Sequence, residues 1–240
     1  HYFGARYYDA RISLWYGVDP LAEELPSQSA FNYCYNNPII LIDPDGAKPT
    51  PRQAALIAAH SYGDANVKLE GGWLQSTRTY GLQFGVSDKG TGLRSMLYER
   101  MTDGKIEYVY ATVGTENLKD WTENGMQAAG ASAEYAESID NARSLNKSIG
   151  EEELTFVGHS QGGGEAAANS YATGREAITF NAAGVSQLTL SNNDVNAKKG
   201  SMNNKINAYI MTSDPLNLLQ NSSKALGLIM PNVDGKRNYI

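Results

Sequence analysis

Ser160 lies between two glycines in Val157-Gly158-His159-Ser160-Gln161-Gly162-Gly163, and this spacing is the strongest chemical signal in the chain. A serine hydroxyl is a weak nucleophile at its own pKa. It attacks a carbonyl when a base stands within hydrogen-bond reach, an acid orients that base, and donors hold the oxyanion that forms. A G-x-S-x-G turn provides the position: it forces the serine into a strained backbone that lifts the hydroxyl clear of a sheet. Side chains at Gly158 or Gly162 would collide with the strand before the turn and the helix after it. The flanks fit, since Leu154-Thr155-Phe156-Val157 reads as a short apolar strand and Ala166-Ala167-Ala168 belongs to a helix of small residues. The competing reading is a glycine-rich loop with an incidental serine, but such a loop has no need of a serine at its apex.

A nucleophile at Ser160 needs an acid after it in the chain, and a base after that. Asp214 is the best acid. It follows the β-prone run 206–212 and so falls at the carboxyl end of a strand, where open α/β sheets place their working residues. The bland account of Asp214 is an Asp-Pro turn former. Asp194 and Asp234 are weaker candidates. One oxyanion donor is the N–H of the residue after the nucleophile, Gln161. The second comes from a loop after an earlier strand; the β-prone run 106–113 ends at Gly114-Thr115, which puts Thr115 there.

The base is the gap. The three histidines are His1, His60 and His159. His159 lies inside the turn and reads as structural; His60 precedes Ser160, the wrong chain order, and reads as a helix-end or core residue. None follows Asp214 in the 26 residues that remain. Three accounts stand: a further C-terminal segment supplies the base, His60 substitutes from another direction, or the domain is inert. The first is preferred, because residues 234–240 end without a closing element.

The elements that must position these residues alternate strand, helix, strand, helix, strand, the pattern of a mostly parallel sheet with helices on both faces. Residues 53–61 read as a helix, 106–113 as a strand after an Asp103-Gly104 hairpin turn, 124–149 as a long Ala-rich helix, 153–157 and 177–182 as strands. Composition sets the class: 41% hydrophobic and 19% charged residues suit a globular chain of 240 residues, one large domain or a domain with an appendage. The net charge of -6 with no basic run argues against a nucleic-acid partner. A single cysteine, Cys34, excludes an internal disulfide and reads as a core thiol. No apolar run is long enough to span a bilayer. A start at His1, in mid-pattern, reads as a fragment of something longer.

Residues 1–46 differ in texture, holding nine aromatic side chains and the turn formers Asp19-Pro20, Asn37-Pro38 and Asp43-Pro44-Asp45-Gly46. His1-Tyr2-Phe3-Gly4-Ala5-Arg6-Tyr7-Tyr8-Asp9, Val18-Asp19-Pro20-Leu21-Ala22, Asn32-Tyr33-Cys34-Tyr35-Asn36-Asn37-Pro38 and Asp43-Pro44-Asp45-Gly46 together resemble the end of the RHS-repeat core. In that family the core belongs to a large β-shell around a C-terminal toxin, and the Asp-Pro-x-Gly motif marks the junction. The resemblance implies an RHS segment at 1–46, a linker at 47–52 and a toxin domain at 53–240.

A second resemblance covers about residues 53–220. Tyr108-Val109-Tyr110-Ala111-Thr112-Val113-Gly114-Thr115, Asp120-Trp121, the Ser160 turn, and Thr212-Ser213-Asp214-Pro215 are similar, in family order, to the class 3 (fungal-type) lipases. Val113 departs from the arginine usual there. The resemblance implies an α/β-hydrolase acting on acylglycerols or phospholipids at a membrane surface, with Ser160 and Asp214 in the triad, Thr115 and Gln161 as oxyanion donors, and no metal or organic cofactor. It also implies a lid after the oxyanion residue, with Leu118 and Trp121 on its apolar face; a fixed helix start with Trp121 in the core is the alternative.

Together these imply a phospholipid or lipid ester hydrolase that serves as a bacterial effector. It would be made in the cytoplasm, passed to a target cell by the RHS shell and secretion apparatus, and neutralised by a cognate immunity protein. A non-lipid esterase, acyltransferase or amidase is the enzyme alternative; an inactive interaction module is the alternative of another class.

Overall fold

The computed structural model describes residues 8–9, 14–15, 48–102, 104–114, 128–211 and 234–239. The chain divides into two compact units, His1–Gln53 and Ala54–Ile240. In the first, strands β1 (Tyr8–Asp9) and β2 (Leu14–Trp15) pair antiparallel with Tyr8 opposite Trp15. The other motifs of residues 1–46, Cys34 among them, lie outside the described residues.

Helix α1 (Pro51–Ser61) begins two residues earlier than its apolar pattern implies. The cause is a capping exchange: Gln53 N–H donates to Thr50 Oγ1 at 3.2 Å and Thr50 N–H to Gln53 Oε1 at 3.0 Å, with Pro51 in the first helical position. The remaining strands are β3 (Leu74–Gln75), β4 (Gly85–Val86), β5 (Arg94–Thr102), β6 (Lys105–Thr112), β7 (Glu153–His159), β8 (Glu176–Phe180), β9 (Ile206–Ile210) and β10 (Lys236–Tyr239). They form one eight-stranded sheet in the order β10-β9-β8-β7-β6-β5-β3, with β4 also on β5. From β6 to β10 every pairing is parallel; β5 joins β6 antiparallel through a tight turn in which Gly104 takes φ +78°. Three more helices, α2 (Ala128–Ile149), α3 (Gln161–Thr173) and α4 (Gln187–Asn192), connect the parallel strands.

The period of two along each strand divides the core between the faces. Tyr108, Tyr110, Leu154 and Phe156 point to one side, where Ile139 and Leu145 of α2 and the Ala166–Ala168 run of α3 cover them. Val109, Ala111, Val157 and Ile178 point to the other, against Ala54 and Ile57 of α1 and Trp73. This is a mixed α/β fold, a central sheet flanked by helices. Small residues bring α2 and α3 close: a Cβ at Gly164 would lie 2.1 Å from the Tyr135 hydroxyl. Between the same helices Asn169 donates to Ser138 Oγ at 2.9 Å, which satisfies two fully buried polar groups.

One expectation is corrected at the end of the chain. Residues 236–239 are not a loose end but the strand β10, parallel to β9, with Lys236 opposite Asn207. Lys236, Arg237 and Asn238 carry no apolar alternation, because an edge strand has one side in water and charge there deters pairing with other chains.

An ion pair ties β5 to β6. Arg100 and Glu107 face each other in register, with guanidinium nitrogens 2.8 and 2.7 Å from Glu107 Oε2 and both side chains over 90% buried. The Trp73 ring lies 4.7 Å from the guanidinium carbon. Removing one member leaves the other charge buried without its partner. Glu107→Ala should therefore lower the unfolding free energy by about 3 kcal/mol in urea melts, whereas replacing both with apolar residues of similar volume should cost much less.

Candidate active site

Ser160 stands between the end of β7 and the start of α3, at the carboxyl end of the parallel strands. Its backbone takes φ 57° and ψ -126°, a combination that costs a non-glycine residue of order 1–3 kcal/mol and persists only under constraint. The constraint is visible. Ser160 N–H donates to the Phe180 carbonyl at 3.0 Å, and the Ser160 carbonyl accepts from Ala183 at 2.9 Å and Gly163 at 3.1 Å. A Cβ at Gly158 would lie 2.2 Å from the Gly162 oxygen, and one at Gly162 would lie 2.3 Å from the Thr112 oxygen. Strand, turn and helix thus pack backbone on backbone. The Thr112 hydroxyl fastens the same junction, donating to the Gly162 carbonyl at 2.6 Å.

Gln161 opens α3, where helix N–H groups lack intrahelical acceptors and point outward. The end of β6 lies against it: a Cβ at Gly114 would be 3.1 Å from Gln161 N and 2.7 Å from the His159 oxygen. Gly114 is therefore the point where the strand preceding Thr115 meets the turn that carries Ser160. Thr115, Leu118, Trp121 and Asp214 lie outside the described residues, so the structure brings together Ser160, Gln161, Gly158 and Gly162 from the sequence-derived set.

The two described histidines have other partners. His60 Nδ1 lies 2.9 Å from the hydroxyl of Tyr98, on β5, two strands away from β7. His159 Nδ1 lies 3.1 Å from the Tyr62 hydroxyl, which also accepts the Gly114 N–H at 3.2 Å. Among the described residues nothing hydrogen-bonds Ser160 Oγ. The weaker acids are placed elsewhere. Asp234 precedes β10 by two residues, and through the register Lys236–Asn207–Ile178–Val157 it lies about 16 Å below Ser160 along the strands. Its carboxylate is buried, accepting from the Tyr171 hydroxyl at 3.0 Å and Val185 N–H at 2.8 Å. Asp194 takes φ 54° in the turn after α4.

Sequence reasoning missed a carboxyl cluster behind Gln161. The Gln161 side-chain amide donates to Glu134 of α2 and lies 3.5 Å from Glu165 Oε1, one turn along α3. Glu165 is 1% exposed, and its Oε2 has no partner among the described residues. Burial, with Glu134 and Glu137 nearby, pushes Glu165 well above the ordinary carboxylate range; burial also raises Glu134. Glu137 moves the other way. Burial alone would raise it, but hydrogen bonds from Thr91 and Ser87 and the Lys89 ammonium outweigh that effect. Nothing in the sequence marks Glu165 as unusual beyond a glutamate between three glycines and three alanines.

The profile of the Tle-like phospholipase domain matches residues 53–239. The chain belongs to that family. The extracellular phospholipase A1 of Serratia liquefaciens is 35% identical over 154 residues, 60% of this chain and 47% of the relative. The chain therefore spans about half the length of that curated relative. Among solved structures, the propeptide complex of Rhizomucor miehei lipase superposes with a TM-score of 0.51 at 13% identity, covering 79% of this chain and 67% of the lipase chain. Its deletion variant gives the same TM-score at 14% identity, over 79% and 65%. At such identities the likeness concerns the fold, which is that of the lipase α/β-hydrolases. Among the described residues no helix is long and apolar enough to cross a membrane.

Two outcomes follow for this Tle-like domain. Gly158→Ala places a methyl where the Gly162 backbone already stands; the shift of Ser160 should lower kcat/KM for ester hydrolysis about 100-fold or more in a protein that still folds. Glu165 sets a pH dependence of stability. Unfolded, it ionises near the ordinary glutamate value, whereas folded it keeps its proton, so the unfolded state binds fewer protons above that value and stability falls as pH rises toward the raised folded pKa. Glu165→Gln should flatten that decline and raise Tm relative to wild type at about pH 8, measured by thermal melts from about pH 5 upward.

Proposed function

We propose that the domain is a serine hydrolase that cleaves an acyl ester of phospholipids. The observation carrying this reading is the placement of Ser160 at positive φ beside the Gln161 N–H, with Gly114 packed against His159 and Gln161 on either side of it, in a chain of a phospholipase family. Ser160 Oγ attacks the ester carbonyl as a base takes its proton. The tetrahedral oxyanion accepts from Gln161 N–H and from Thr115. Collapse expels the lysophospholipid hydroxyl, which receives that proton, and water then releases the fatty acid from the acyl-serine. Asp214 orients the base that takes the serine proton. The relative named a phospholipase A1 supports the ester at the sn-1 position.

The RHS-like pattern of residues 1–46 supports a wider role: the hydrolase is the toxic end of an effector, delivered to a target cell and held in check by an immunity protein. The apolar pair Leu118 and Trp121 would then form a lid that opens at the lipid surface.

The test is chemical. Wild-type full-length protein should label with a fluorophosphonate at Ser160 and release fatty acid from phosphatidylcholine vesicles labelled at sn-1, and Ser160→Ala should abolish both. Expression directed to the bacterial periplasm should arrest growth for the wild type and not for Ser160→Ala. The second reading, an inactive interaction module, draws on the described contacts of His60 and His159, which go to Tyr98 and Tyr62. It predicts no labelling and unchanged vesicles.

A further inference from the structure

The last ladder pair between β6 and β7 is Thr112 with Gly158. One residue on, Val113 N–H still reaches β5, donating to the Arg94 carbonyl at 2.9 Å. Gly114 N–H has run past the ladder to its β7 neighbour, and its acceptor comes from outside the sheet: the hydroxyl of Tyr62, just beyond α1, at 3.2 Å. That hydroxyl also contacts His159 Nδ1 at 3.1 Å, and the two rings meet edge to face at 6.0 Å. A phenol that accepts the Gly114 N–H still has its own proton to donate, and with the Nε2–H tautomer of His159 that proton goes to Nδ1. The contact spans three elements distant in sequence: the exit of α1, the exit of β6, and the residue preceding the nucleophile.

We propose that Tyr62 is a positioning residue for the oxyanion site. Its hydroxyl pins the Gly114 amide against the Ser160 turn, and so fixes the backbone that flanks the Gln161 N–H. His159 has the complementary part of fixing the direction of the phenol proton. The lack of a side chain at Gly114 belongs to the same device, since a Cβ there would stand 3.0 Å from the Tyr62 hydroxyl as well as 3.1 Å from Gln161 N. Loss of a single oxyanion donor typically costs 10²–10³ in kcat. A donor that is displaced rather than lost costs part of that. This inference rests on the serine hydrolase reading.

The experiment uses the full-length protein with sn-1-labelled phosphatidylcholine vesicles, a fluorophosphonate, and Tyr62→Phe. The expected result is a kcat about 10- to 100-fold lower with KM within about twofold, because the lost interaction serves the transition state alone. Fluorophosphonate inactivation should slow in proportion, and amide hydrogen exchange at Gly114 should accelerate. His159→Leu should reproduce the defect; His159→Asn, whose side-chain oxygen can replace Nδ1 as acceptor, should recover most of the activity. Tyr98→Phe removes another buried phenol, the partner of His60, and serves as the control for general destabilisation. A Tyr62→Phe protein with wild-type kcat overturns the proposal, as does an equal loss of kcat in Tyr98→Phe. Failure of the wild type to label at Ser160 overturns the hydrolase reading and this one with it. Accelerated exchange at Gly114 in such a protein would reduce Tyr62 to a purely structural clamp.

Discussion

The structure depends on close backbone packing at one point. Ser160 is held at φ 57° and ψ -126° by strand β7, by helix α3, and by hydrogen bonds to Phe180 and Ala183 on the neighbouring connection. A contact of this kind tolerates no Cβ at Gly158 or Gly162, because the atoms in the way are carbonyl groups and cannot rotate aside. The Ser160 backbone conformation therefore follows from steric exclusion, and the sheet supplies the rigidity that keeps the strain in place. Everything else near the site adjusts to this turn: Thr112 bonds to it, Gly114 lies on it, and Tyr62 approaches from the far side of the sheet to hold Gly114 there.

Much of this was legible in the chain because it is local. The turn needs glycine, serine and glycine at fixed offsets, and an apolar strand must precede it while a small-residue helix follows. The faces of the sheet were equally legible: Tyr108-Val109-Tyr110-Ala111 alternates between the two cores as the period of two demands. The helix beginning at Pro51 was misplaced only at its start, where Thr50 and Gln53 read as linker residues until their exchange of hydrogen bonds is seen.

What escaped the sequence is long-range or edge-specific. Tyr62 reaches His159 across 97 positions, and no local pattern distinguishes a phenol that does so from one that points to water. Glu165 carries the same letter as a solvated helix glutamate; packing between helices buries its carboxyl and raises its pKa. Arg100 and Glu107 look like ordinary surface charges on the two arms of a hairpin until the register sets them face to face. β10 was overlooked because hydrophobic alternation is weakest where a strand has one neighbour. In each case the missing information is a distance between segments, which a one-dimensional pattern does not hold.

The order of the strands also bears on when the site comes into being. β5 and β6 are joined by two residues, whereas β6 and β7 are separated by 40, so their parallel pairing bears a far larger loop-closure entropy. The antiparallel hairpin is favoured to form early, and the β6–β7 seam late. Ser160 and the Gly114 amide belong to opposite sides of that seam. The packing of Gly114 on the Ser160 turn is thus completed only when that late seam closes, and a partly folded chain carries the serine without the contacts that place it.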